Sequence, residues 1–143
     1  MEDKKVMAGK EKLWIQYKKK VLIIEDEVAI LNGISDKFTH DGFLTLKATD
    51  GQTGLDKALK EHPDFILVDN LMPNTDGFYF LENLRKDKWG KNAKVIMWSN
   101  SHDSRTIARA KKIGIQDFMI KSEWEYRDVV KKVKEALGMK TGA

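Results

Sequence analysis

Of the 143 residues none is cysteine, only two are proline and only three are histidine. The lack of cysteine excludes a disulfide framework, a thiolate zinc site and a cysteine nucleophile. His40, His62 and His102 stand among turn and helix-end signals with no spaced partner, so they read as surface residues rather than a metal or catalytic pair. No apolar run approaches the roughly 20 residues that a membrane span needs. The lysine-rich start also lacks the apolar stretch and small-residue cleavage site of a signal peptide. The expectation is a cytoplasmic protein with no membrane partner. Its length is one domain's worth, enough to bury a core without staples.

A formal net charge of +4 invites a nucleic-acid reading, but the excess is local. Residues 1–20 carry seven lysines against Glu2, Asp3 and Glu11, and the remaining 123 residues balance at 19 basic and 19 acidic side chains. A lysine-rich leader on a neutral domain reads as solvated chain, so no nucleic-acid partner is expected for the domain. Within it, Leu13-Trp14-Ile15-Gln16-Tyr17 leaves three readings open: an extra element docked on the domain, a partner contact, or chain upstream of the natural start. The expected division is a basic, partly disordered leader over 1–19, a domain over 20–138 and a tail over 139–143.

From Val21 onward two textures alternate. Strand-length apolar runs come at 21–24 (VLII), 43–46 (FLTL), 65–68 (FILV), 94–98 (KVIMW) and 117–120 (DFMI). Between them lie segments whose apolar residues recur every three or four positions: Leu31, Ile34 and Phe38; Leu55, Ala58 and Leu59; Phe78, Leu81 and Leu84; Ile107, Ala110 and Ile113; Val129, Val130, Val133 and Leu137. Asp41-Gly42, His62-Pro63, Trp89-Gly90 and Gly114 supply the stops. Five strands apolar on both faces and separated by helices imply a parallel sheet covered on both sides, a doubly wound α/β domain. The ligand site of such a fold lies at the carboxyl ends of the strands, where the strand order reverses.

The polar residues collect at those ends. The first run leads into Glu25-Asp26-Glu27, the third into Asp69, the fourth into Ser99-Asn100 and the fifth into Lys121. Converging carboxylates repel one another unless a cation lies between them, and hard oxygen donors select Mg²⁺ or a similar ion. A hydroxyl and an ammonium opposite them suit an incoming phosphoryl group, which needs a hydrogen-bond donor and a counter-charge. Glu27 reads as a helix-start residue facing the N-terminal dipole, outside the site.

The segments VLIIEDE (21–27), PDFILVDNLMPNTDG (63–77), VIMWSNS (95–101) and DFMIK (117–121) together resemble the receiver domain of two-component response regulators, over about residues 20–138. The resemblance implies a five-stranded flavodoxin-like fold with helices on both faces. It implies that Asp69 is the phosphoacceptor, charged by a sensor histidine kinase, a histidine phosphotransfer protein or a small phosphodonor. Asp26 and Asp69 would bind Mg²⁺ directly, Glu25 through water, and the backbone carbonyl of Leu71 would add a ligand. Lys121 would pair with Asp69 and then with the phosphoryl oxygens, to which Ser99 would donate its hydroxyl. Phe118 would act with Ser99 as the switch that alters the face of helix four, strand five and helix five, where a downstream protein docks. Pro73 and Gly77 would shape the loop beside the site. Such a domain catalyses only its own phosphorylation and dephosphorylation. A stand-alone regulator and a receiver of a longer protein both remain open, as does a homodimer.

Three positions depart from the family pattern. Ser122 follows Lys121 where proline is usual, Asn100 replaces a small residue, and Trp98 replaces an aliphatic one and must accommodate its indole N–H. Other functions fit less well. A haloacid-dehalogenase-like phosphatase also uses an aspartate and Mg²⁺, but Asp69-Asn70-Leu71 lacks the second acid of its Asp-x-Asp motif. A flavodoxin-like FMN protein would offer donors to phosphate after the first strand, where Glu25-Asp26-Glu27 would repel it. An inert receiver-like module is disfavoured because every acidic and basic site position is present.

Overall fold

The alternation of apolar runs and amphipathic segments resolves, in a computed structural model describing residues 18–72, 76–100 and 103–140, into five consecutive βα units. They are β1 (Lys20–Ile24), α1 (Val28–His40), β2 (Leu44–Ala48), α2 (Gly51–Glu61), β3 (Phe65–Asp69), α3 (Gly77–Lys86), β4 (Val95–Ser99), α4 (Ser104–Ile113), β5 (Asp117–Ile120) and α5 (Tyr126–Ala136). Short 3₁₀ turns follow α3 (Gly90–Asn92) and β5 (Lys121–Glu123). The leader motif at 13–17, Pro73, His102 and the last three residues lie outside the described residues.

All strands pair in parallel in the order β2-β1-β3-β4-β5, so the chain reverses direction across the sheet between β1 and β3. Alternate side chains of the central strands feed two cores. Leu22, Ile24, Ile66, Val68, Val95 and Met97 pack with Leu55 and Ala58 of α2, Leu81 and Leu84 of α3 and Ala110 of α4. Val21, Ile23, Phe65, Leu67, Ile96 and Trp98 pack with α1 and α5. Burial on both faces holds for β3 and β4 throughout and for β1 beyond Lys20; β2 and β5 are partly exposed because each has a neighbour on one side only.

Helices α2, α3 and α4 begin where aspartates offer oxygens to free N–H groups. Asp50 accepts from the Thr53 N–H at 2.8 Å, Asp76 from Tyr79 at 2.9 Å and Asp103 from Arg105 at 3.1 Å. Near the opposite edge Arg85 braces three segments, donating at 2.7 Å to the carbonyls of Gly90, Ala93 and Gly114. His40 and His62 are exposed, as read from sequence.

Gly77 sets how closely α3 approaches β3. Its N–H donates to the Asn70 carbonyl at 3.0 Å, and a Cβ there would lie 2.7 Å from the Asp69 carbonyl oxygen. Because the obstacle is backbone, the strand end and the helix cannot both stay in place. Gly77→Ala is expected to destabilise the fold by about 2 kcal/mol, an overpacking cost, despite the better helix propensity of alanine. Urea denaturation measures it; an unchanged midpoint would mean that α3 is free to move away.

Candidate functional site

The β1–β3 register pairs Ile24 with Val68, so the next residues, Glu25 just past β1 and Asp69 at the end of β3, lie side by side at the point of reversal. Glu25 is fully buried and Asp69 is 4% exposed. Half-buried Asp26 completes a group in which each of the three carboxylates offers an oxygen within 4.8 Å of the others.

Lys121, arriving from the end of β5, sets its ammonium between two of these acids. The Nζ donates to Glu25 Oε1 at 2.6 Å and to Asp69 Oδ2 at 3.1 Å. The remaining carboxylate oxygens are satisfied by backbone. Glu25 Oε2 accepts from the Glu27 N–H at 3.0 Å, and Asp69 Oδ1 accepts from the Leu71 N–H at 3.1 Å. The sequence places Lys121 with Asp69; that Glu25 is its nearer partner is a finding of the structure. No positional signal in the sequence carries it, since the two residues stand 96 positions apart.

Burial and the neighbouring Glu25 charge push the Asp69 carboxyl up to about 6, although Lys121 and the Leu71 N–H pull the other way. For Lys121, burial would lower the ammonium, but the hydrogen bonds and charges of Glu25 and Asp69 outweigh it and hold the group above its ordinary value. One ammonium among three carboxylates leaves two negative charges, and the donors are hard oxygens, so the residues present fit a divalent cation such as Mg²⁺.

The other positions surround this centre. Ser99 is buried at the end of β4, next to Trp98, whose register partner is Asp69. Phe118 is half-buried against the core that holds Met97 and Ala110. Leu71 is 62% exposed, and Asn100 and Glu27 are also exposed. No cis peptide occurs among the described residues, so Lys121–Ser122 is trans, and Lys121 opens a 3₁₀ turn. The indole N–H of Trp98 is buried with no partner among the described residues.

Comparison with known proteins identifies the family and the fold. The family described as the response regulator receiver domain matches residues 21–134. Sporulation initiation phosphotransferase F of Bacillus subtilis is 30% identical over 115 residues, spanning 79% of this chain and 91% of that protein. The protein named probable transcriptional regulator ycf27 in Porphyridium aerugineum is 27% identical over 125 residues, 83% of this chain but 51% of that one. The chain thus spans about half, or less, of the length of such relatives. Among solved structures, a response regulator receiver domain protein (CheY-like) from Methanospirillum hungatei JF-1 superimposes with a TM-score of 0.78 at 26% identity, covering 85% of this chain and 94% of that one. The CheX-CheY-BeF3-Mg+2 complex from Borrelia burgdorferi gives 0.75 at 27% identity, covering 83% and 89%.

The raised Asp69 carboxyl makes stability depend on pH. Between its ordinary value of 3.8 and about 6, the folded protein keeps a proton that the unfolded chain has released. Stability therefore falls as pH rises through that window and stays at the lower level above it. In chelator, Asp69→Asn is expected to exceed the parent at pH 7.5 by roughly 3 kcal/mol and to lose that advantage by pH 4. Chemical denaturation at the two pH values checks this. Equal stability at pH 7.5, or an advantage that grows on acidification, would contradict the electrostatic account.

Proposed function

The chain belongs to the response regulator receiver family, and from that premise we propose that it is a Mg²⁺-dependent phosphoacceptor switch charged on Asp69. The observation that carries this reading is the buried Asp69 carboxylate, within 4.8 Å of two other acids and 3.1 Å from the Lys121 ammonium at the reversal of strand order.

Above a pH of about 6 Asp69 is ionised and can act as a nucleophile. One of its oxygens forms a bond to phosphorus while the bond from phosphorus to the donor breaks, and the donor, a phosphohistidine or an acyl phosphate, leaves with the electron pair. Little covalent help is needed, so positioning and charge neutralisation supply most of the rate. Lys121 can exchange its hydrogen bond to Asp69 for one to a phosphoryl oxygen. Ser99, one strand away, is the proposed donor to a second. Asp26 and Asp69, with Glu25 through water and the Leu71 carbonyl, would hold Mg²⁺, which when bound supplies positive charge to both nucleophile and phosphoryl group. Hydrolysis reverses the state: water attacks phosphorus, releasing inorganic phosphate and the Asp69 carboxylate.

The proposed donor is a sensor histidine kinase or a histidine phosphotransfer protein, and the proposed output is a protein contact on the α4–β5–α5 face. Ser99 and Phe118 would couple the two by favouring a different arrangement of that face once phosphate is present. Among the described residues no helix is long and apolar enough to cross a membrane, and we place the domain's action in the cytoplasm.

Incubation with Mg²⁺ and acetyl phosphate is expected to add a single phosphoryl group by intact mass, on Asp69. Asp69→Asn or excess chelator should abolish it. An adduct that survives in the variant, or forms equally well without divalent cation, would sink the assignment.

A further inference from the structure

Lys121 reaches the site from the end of the sheet. It leaves an edge strand and enters a 3₁₀ turn through a trans bond to Ser122. A proline at 122 would confine Lys121 to extended backbone; serine does not. The two carboxylates that hold the ammonium are partners that the chemistry takes away. Phosphorylation changes the charge and hydrogen bonding of Asp69, and Glu25 is assigned to the metal.

One further contact remains. The Lys121 Nζ lies 5.7 Å from the centroid of the Trp98 ring, inside the roughly 6 Å reach of a cation–π attraction. Trp98 is 2% exposed and sits in register with Asp69. The Tyr126 ring packs against it, centroids 6.4 Å apart at 46°. Tyr126 is in turn seated over Gly33 of α1, where a Cβ would lie 2.6 Å from the tyrosine ring. The indole ring is therefore wedged between sheet and helices. Its N–H is buried without a partner among the described residues, an orphaned donor that an aliphatic side chain would not create. What the indole offers in return is a face of π electrons beneath a cation.

Resting on the phosphoacceptor reading, we propose that Trp98 is a positioning residue whose ring holds the Lys121 ammonium over the site while its hydrogen-bond partners change from carboxylate to phosphoryl oxygen. It acts through Lys121 and touches no substrate, so it should affect the rate of transfer more than the affinity for donor.

The test follows Asp69 adduct formation from acetyl phosphate in the full chain with saturating Mg²⁺. Trp98→Leu is expected to lower the maximal rate roughly fivefold, and Trp98→Phe less, with the half-saturating donor concentration unchanged. Since leucine can disturb packing, the chain is also produced with ring-fluorinated tryptophan, which keeps the shape but withdraws π electrons. Fluorination is expected to slow the parent roughly threefold and to leave Trp98→Phe unaffected. Equal rates for fluorinated and ordinary parent, or equal slowing in Trp98→Phe, would overturn the positioning role. No adduct in the unsubstituted parent would instead overturn the phosphoacceptor reading, and the proposal with it.

Discussion

A lysine ammonium bridging two carboxylates on neighbouring strands is the interaction on which the site depends. The parallel sheet brings Glu25 and Asp69 together at a reversal of strand order, and water is largely excluded from both. Two buried like charges at that spacing are costly unless a cation intervenes. Lys121 intervenes at 2.6 Å and 3.1 Å, and Asp26 adds a third acid that it does not reach. The carboxyl of Asp69, pushed up to about 6, records burial first and the neighbouring Glu25 charge second. On the proposed reading, such a site would take up a divalent cation and then a phosphoryl group, each addition offsetting what the last one left unbalanced.

The rest of the fold keeps that arrangement in place. Helices return antiparallel to the strands, so α2, α3 and α4 begin near the carboxyl edge of the sheet with aspartate caps. Their N-terminal dipoles add partial positive charge to an acidic end of the molecule. Gly77 lets α3 start against the backbone of Asp69 and Asn70. Away from the site, Arg85 ties the end of α3 to the turns before β4 and β5 through carbonyls alone. Helix α4 buries only Ala110, fewer residues than any other described helix, so on the proposed reading it is the element that a change at Ser99 would move at least cost.

Much of this was legible in the amino-acid order, for physical reasons. VLII, FILV and VIMW are buried on both faces, and such strands must read as unbroken apolar runs. Glu25, Asp69, Ser99 and Lys121 could be gathered from the sequence because each ends a strand or directly follows one, and parallel strands place their carboxyl ends together. What pattern could not reach depends on side-chain reach and local backbone. The pairing of Lys121 with Glu25 joins residues 96 apart and needs the length of a lysine across two strands. The 3₁₀ turn at Lys121–Glu123 contains Ser122, a residue that neither enforces nor forbids it. For Trp98 the sequence flags an indole N–H that must be accommodated; only the packing with Tyr126 shows that it is buried unpaired beside the lysine.

The central claim, that the acidic group is a cation site balanced in the metal-free protein by Lys121, is tested most directly by thermal unfolding against Mg²⁺ concentration at pH 7.5. A ligand that binds only the folded state stabilises it in proportion to the logarithm of its concentration once above the dissociation constant. The account predicts that the unfolding midpoint of the parent climbs in this way, while Asp26→Asn stays flat over the same range. A parent whose midpoint ignores Mg²⁺, or a variant that climbs alongside it, would contradict the claim.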